Sequence, residues 1–386
     1  MKIRISFALI LFFLLISPDS ALPQDSLKVG ALVPFTGRWG DSGRECARGL
    51  LDAGKWINHR GGIFGKKLEI ILIDDSSQPA EFVAAFRKLN EADRILLLYL
   101  YSTETGLALL PHINLQRIPT LTSSFPVHLA DTSKTPYLFS ITPTPLDLAK
   151  IAMKFISERS DIKMRKPKVV FVSFPDPPGK YFLDEAKSYA KTLGLEIGPD
   201  IFISDISFLK PPSPVLAPLK SYHPDFAYLN LTSKEAAAFL QEVRGMDLKT
   251  RWICNMRAFD ETLSAFDGVL GVQPISPFGE DVPGMAEIKE AHQKWHPYDS
   301  HTLSHVEGWV TVKVMAEALG RSLPEQGFSR ERVRMAFEGF KNYVVGGLLP
   351  PLNITAKDHR PSVESRIFIV KDGKLLRHTG FISVGR

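Results

Sequence analysis

Short apolar runs alternate with amphipathic stretches along nearly the whole chain. Val29, Ala31, Leu32 and Val33 read as a buried strand, and from Gly43 onward Ala47, Leu50, Leu51, Gly54, Trp56 and Ile57 recur at helical spacing. Asn58-His59-Arg60-Gly61-Gly62 ends that helix, because glycine accepts the left-handed backbone that a helix C-terminus needs. A second strand at 68–73 runs into the polar turn Asp74-Asp75-Ser76-Ser77-Gln78-Pro79. This βαβ unit builds parallel sheets, which bind ligands beyond the carboxyl ends of their strands.

The alternation continues to the end of the chain. Strands are expected at 95–99, 118–122 and 137–141, with helical patterns at 82–89 and 107–112 between them. Thr142-Pro143-Thr144-Pro145 reads as a hinge followed by a helix with Pro145 in its first turn. Strands at 169–172, 196–203, 225–231 and 252–254 then alternate with helices at 181–193, 215–222 and 233–244. The strand at 268–273 leads back to the first half, to which the helices at 285–295 and 305–319 belong, and the tail crosses to the second half again. The pattern predicts an α/β protein of two doubly wound parallel-sheet lobes, 26–141 plus 275–345 and 142–274 plus 346–386, joined by a three-segment hinge.

Composition sets the compartment and removes some partners. Lys2 and Arg4 precede an apolar run at 7–17 that is too short for a stable membrane span, so residues 1–21 read as a secretory signal peptide and the rest as an exported, soluble protein. Of the chain's net charge of +5, removing Lys2, Arg4 and Asp19 takes one unit. No basic run carries interleaved aromatics, which disfavours nucleic acid. Cys46 and Cys254 lie far apart and read as buried thiols.

Several motifs stand in one register between residues 29 and 79: Pro34-Phe35-Thr36-Gly37, Gly40-Asp41-Ser42-Gly43, Ile57-Asn58, Gly61-Gly62-Ile63, Gly65-Lys66 and Asp74-Asp75-Ser76. With Gly245-Met246-Asp247-Leu248-Lys249-Thr250 and Val306-Glu307-Gly308-Trp309 further on, the chain resembles the type I periplasmic binding proteins, in particular the leucine/isoleucine/valine-binding branch. The resemblance implies a monomer that holds a small molecule between its lobes, passes it to an ABC-type membrane permease and needs no cofactor. It also implies first-lobe contacts to a ligand carboxylate from Tyr101, Ser102, Ser123 and Ser124. A Ser/Thr cluster after a strand can equally be a turn or a helix cap.

Trp39, between Gly37 and Gly40, is expected to form an aromatic wall, the alternative being a core position. The second-lobe candidates are Tyr181, Thr232, Asn255, Met256 and Arg257. Amino-acid-binding relatives place an acidic residue where Met256 stands, so a buried ligand ammonium would lack its partner there. Arg257 could instead make a paired hydrogen bond to a carboxylate, favouring an organic acid, or could face solvent.

No catalytic or metal site is expected. His292, His296, His301 and His305 have metal-like spacing, but Pro297 interrupts them and solvated helix ends are the expectation. Asp74 and Asp75 point to opposite faces, and no nucleophile elbow or phosphate loop is present. A sensing module that signals through a membrane receptor would use the same lobes, and an enzyme is the third reading.

Overall fold

The computed structural model describes residues 26–386 except 38, 77, 124, 159–164, 176–179, 181, 205–213, 301 and 323–326. The expected signal peptide, Ser124, Tyr181 and His301 therefore lie outside the described residues. In chain order the first half comprises β1 (Ser26–Val33), α1 (Gly40–His59), β2 (Lys67–Asp74), α2 (Pro79–Arg87), β3 (Leu97–Leu100), α3 (Thr103–Gln116), β4 (Thr120–Thr122) and β5 (Leu138–Ser140). Next come α4 (Pro145–Ser157), β6 (Lys168–Ser173), α5 (Leu183–Thr192), β7 (Glu196–Ile197), β8 (Ile201–Phe202), α6 (Ala217–Tyr222), β9 (Phe226–Asn230), α7 (Ser233–Val243), β10 (Arg251–Cys254) and β11 (Leu270–Gln273). The chain ends with α8 (Met285–Trp295), α9 (Leu303–Arg321), α10 (Arg330–Glu338), β12 (Glu364–Lys371), β13 (Lys374–Arg377) and β14 (Ile382–Ser383).

Two sheets carry these elements. The first is wholly parallel in the order β2-β1-β3-β4-β5, and the second runs β13-β12-β11-β10-β9-β6-β7. Strands β6 to β11 are parallel, whereas the tail adds β12 and β13 as an antiparallel edge that the sequence pattern did not announce. Both faces of each sheet are covered, which is why strands such as Leu97–Leu100 are apolar throughout. Leu27, Val29, Ala31 and Val33 pack towards Leu50 and Val310, while Leu32 packs with Phe82, Phe86 and Ile113 on the other side.

Local chemistry accounts for the ends of the elements. Gly61 and Gly62 have φ of 100° and 74° after α1, and Thr144 and Asp147 form a capping box at α4, with Pro145 in its first turn. The expected strand at 196–203 is instead two short pieces, β7 and β8, broken around Pro199, which cannot donate to a ladder. Helix α9 lies against α1. At that crossing Gly49 faces the His305 carbonyl, and Gly308 faces the Cys46 carbonyl, with no room for a side chain at either.

The histidines depart from expectation. His292 and His305 are only 2% and 1% exposed, and His296 and His305 each bond the Asp52 carboxylate of α1 through Nε2 at 3.0 Å. Burial raises the Asp52 carboxyl, but the bonds from His305 and His296 outweigh it and hold it below its usual range. The histidines thus tie α8 and α9 to α1 instead of facing solvent. Among the described residues no group of three or more His, Cys, Asp or Glu could hold a metal. Cys46 and Cys254 are both free and buried, in separate core clusters.

Candidate functional site

Strand β1 lies between β2 and β3, so the loops after β1 and β3 diverge and leave a crevice at the carboxyl end of the first sheet. The loops after β9 and β10 of the second sheet close it from the other side, leaving a cavity of about 260 Å³. Trp39 and Ser42 line it from the start of α1, Tyr101 from the end of β3, and Glu307 from α9. Across the gap stand Thr232, Met256, Arg257 and Glu261.

One chain of polar contacts joins the two sides. Arg257 donates from Nη1 to Glu307 Oε2 at 2.8 Å and from Nη2 to Oε1 at 3.0 Å. The same Nη1 donates to the Tyr101 hydroxyl at 3.0 Å, with the guanidinium 4.5 Å from the Tyr101 ring centroid. Tyr101 in turn donates to Ser42 Oγ at 2.8 Å, and Ser42 donates to the Trp39 carbonyl at 3.2 Å. Glu307 is 1% exposed and the Arg257 side chain 18%. Burial alone would lower the Arg257 guanidinium, but Glu307 more than offsets it and holds it above its usual value. Burial pushes the Tyr101 phenol up, so it stays a neutral donor.

A second contact crosses the gap where Glu261, just after β10, accepts the Leu303 N–H at the start of α9 at 3.1 Å. Burial pushes the Glu261 carboxyl up to about 7, with Asp260 and Glu45 adding to the rise. In an opened cleft the group regains water and its usual value near 4.5, so the closed form holds the proton more tightly. Its contribution to closure is therefore complete below the usual value and is lost as pH rises through 7. Small-angle scattering is expected to show a more open molecule at pH 8 than at pH 5 (~ three units spanning the shift). Glu261→Gln should remove that difference, and an unchanged pH response in the variant would assign it elsewhere.

Of the residues singled out from sequence, Trp39, Tyr101, Thr232, Met256 and Arg257 line the cavity. Ser102, Ser123 and Asn255 do not line it, and their polar atoms are held by neighbours. Ser102 caps α3 through Thr105 N, Ser123 bonds Tyr99 deep in the core, and Asn255 bonds Asn230 and the Ala258 N–H. Thr232 also caps α7. In this structure the paired hydrogen bond of Arg257 goes to Glu307. Glu307 itself went unassigned, although a charged residue among Val306, Trp309 and Val310 on a buried helix face needs a partner.

A cavity set between two α/β lobes and spanned by bonds running from one to the other is the arrangement of a protein that closes on a ligand. Residues 26–374 match the family model described as periplasmic binding protein, and the chain belongs to that family. Comparison by sequence with curated proteins gives no match. Among solved structures, a branched-chain amino acid ABC transporter protein from Thermus thermophilus with bound valine is similar at 21% identity and a TM-score of 0.85, over 94% of this chain and 98% of that one. A fatty acid ABC transporter substrate-binding protein from Thermomonospora curvata is 20% identical with a TM-score of 0.82, covering 94% of each. A solute-binding protein from Rhodopseudomonas palustris BisB5 in complex with 3,4-dihydroxybenzoic acid is 20% identical with a TM-score of 0.76, over 93% and 98%.

Proposed function

We propose that this protein is exported, captures a small organic solute between its lobes and delivers it to an ABC-type uptake permease. The carrying observation is the cavity bounded by Trp39 and Tyr101 on one side and Thr232, Met256 and Arg257 on the other, inside a periplasmic binding protein fold. Its volume of about 260 Å³ suits a solute of amino-acid or benzoate size, and similar structures are described with bound valine and 3,4-dihydroxybenzoic acid. Lobes of 26–141 plus 275–345 and 142–274 plus 346–386 would turn about the segments between β5 and α4, after β11, and before β12. No helix among the described residues is long and apolar enough to cross a membrane. The cavity walls offer hydrogen-bond partners and an aromatic face, the equipment of a binder.

Isothermal titration of the mature protein against amino acids, amines, and aliphatic and aromatic carboxylates tests this reading, and absence of saturable binding by every class would overturn it. Trp39→Ala is expected to weaken the bound solute about tenfold, on the scale of ~1.4 kcal/mol, with an unchanged circular dichroism spectrum. Equal affinity would remove Trp39 from the site.

A further inference from the structure

We propose that Glu307 acts as a built-in carboxylate: by occupying Arg257 it shuts ligand carboxylates out, leaving the cleft selective for solutes carrying a positively charged amine, held by Asp260 and Glu261. The inference rests on the solute-binding reading above and names the class of solute.

The charges around the cavity carry it. Five carboxylates line it, from Asp41, Glu45, Asp260, Glu261 and Glu307, against the two cations Lys234 and Arg257. The cation that could receive an anion is spent: Arg257 gives its paired donors to Glu307 at 2.8 and 3.0 Å, in a contact that excludes water from the acid. A ligand carboxylate would have to displace a buried carboxylate held by two charge-assisted hydrogen bonds and would gain only what that one lost. Lys234 stands at the mouth, 3.6 Å from Asp41 and largely exposed, where water screens it.

On the acidic side the accounting differs. Asp41 is paired with Arg44 and Glu45 with Arg48. Asp260 meets the Thr262 N–H and Glu261 the Leu303 N–H, and among the described residues neither has a cationic partner. Two adjacent carboxylates without a cation, facing a cavity with an indole at its edge, form a site for an organic ammonium: the charge meets the carboxylates and the apolar stem lies on Trp39. Burial pushes the Glu261 carboxyl up to about 7, the mark of an acid whose surroundings supply no positive charge. An ammonium beside it would supply that charge. The acid differs in place from the one expected at Met256, since it comes from the turn after Phe259 instead of the end of β10.

The test is titration calorimetry at pH 7.5 (~ the neutral range in which alkylamines are charged and carboxylic acids ionised), with matched pairs of one skeleton: hexylamine against hexanoate, phenethylamine against 3-phenylpropionate, and valine beside them. The amines are expected to bind at least ~10-fold (~1.4 kcal/mol) more tightly than their matched carboxylates. Glu261→Gln should erase the preference. Glu307→Gln should raise the affinity for 3-phenylpropionate ~10-fold or more while leaving phenethylamine within about threefold, because the amide no longer neutralises Arg257. Carboxylates binding as well as amines to the unaltered protein would overturn the inference while the solute-binding reading stood. Binding by none of the probes would overturn both. Should Glu307→Gln fail to fold by circular dichroism, Glu261→Gln decides the matter: an intact amine preference in that variant counts against the proposal.

Discussion

Alanine at Gly308 is expected to cost the protein about 3 kcal/mol or more, at the upper end of what overpacking does. The reason is what a Cβ there would meet: the Cys46 carbonyl oxygen and, at 2.7 Å, the Leu50 backbone nitrogen, both inside α1. Side chains can rotate out of the way, but a helix backbone cannot. Gly49 makes the reciprocal approach from α1 to the His305 carbonyl and to Trp309 N at 3.0 Å, so relief requires the two helices to part. Thermal unfolding should show a midpoint lower by roughly 10 °C for a lobe of this size. The variant should also lose ligand affinity, since Ser42 and Glu45 ride on α1 and Glu307 on α9. A midpoint within about one degree of the parent would show that the crossing yields at a cost well under 1 kcal/mol.

The second large effect is expected from Arg257→Ala, and its sign depends on where the residue lies. Removing one partner of a buried ion pair strands the other, here Glu307 at 1% exposure, at a cost of about 3 kcal/mol. Because the pair bridges the two lobes, Glu307 can escape that cost by opening the cleft to water without unfolding. The closed-to-open ratio should therefore fall roughly a hundredfold, seen as a larger radius of gyration in scattering, with a smaller change in melting temperature. Arg257→Ala combined with Glu307→Ala should recover much of the closed form, since neither charge is then left alone. An unchanged radius of gyration in the single variant would mean that the pair does not hold the lobes together.

Most of the architecture was open to reading from periodicity, because βαβ units write their buried strands as apolar runs and their helices as one apolar face. Val29 to Val33 and the positions Ala47, Leu50, Gly54 and Trp56 show this directly, whereas Leu51, of the same spacing, faces solvent. What escaped depended on residues distant in sequence. Arg257 was recognised as a cleft residue, but its partner Glu307 stands fifty positions on, and no local pattern links them. Ser123 and Asn255 had the right chemistry at strand ends, yet Tyr99 and Asn230 take their polar atoms. The histidines were misread for the same reason: Asp52, which binds two of them, lies on a helix from the far end of the chain. Gly49 and Gly308 look like ordinary helix glycines until α1 and α9 are seen side by side.

The antiparallel edge of the second sheet bears on how the protein is made. Gln273 of β11 pairs with Arg366 of β12, and the segment between them forms three helices that serve the first sheet. The first sheet cannot gain its covering helices, nor the second its antiparallel edge, until the chain beyond Met285 has been made. Contacts so far apart in sequence form slowly. A chain of this design closes its second sheet only after the three intervening helices have been made, so its two lobes are expected to finish folding together.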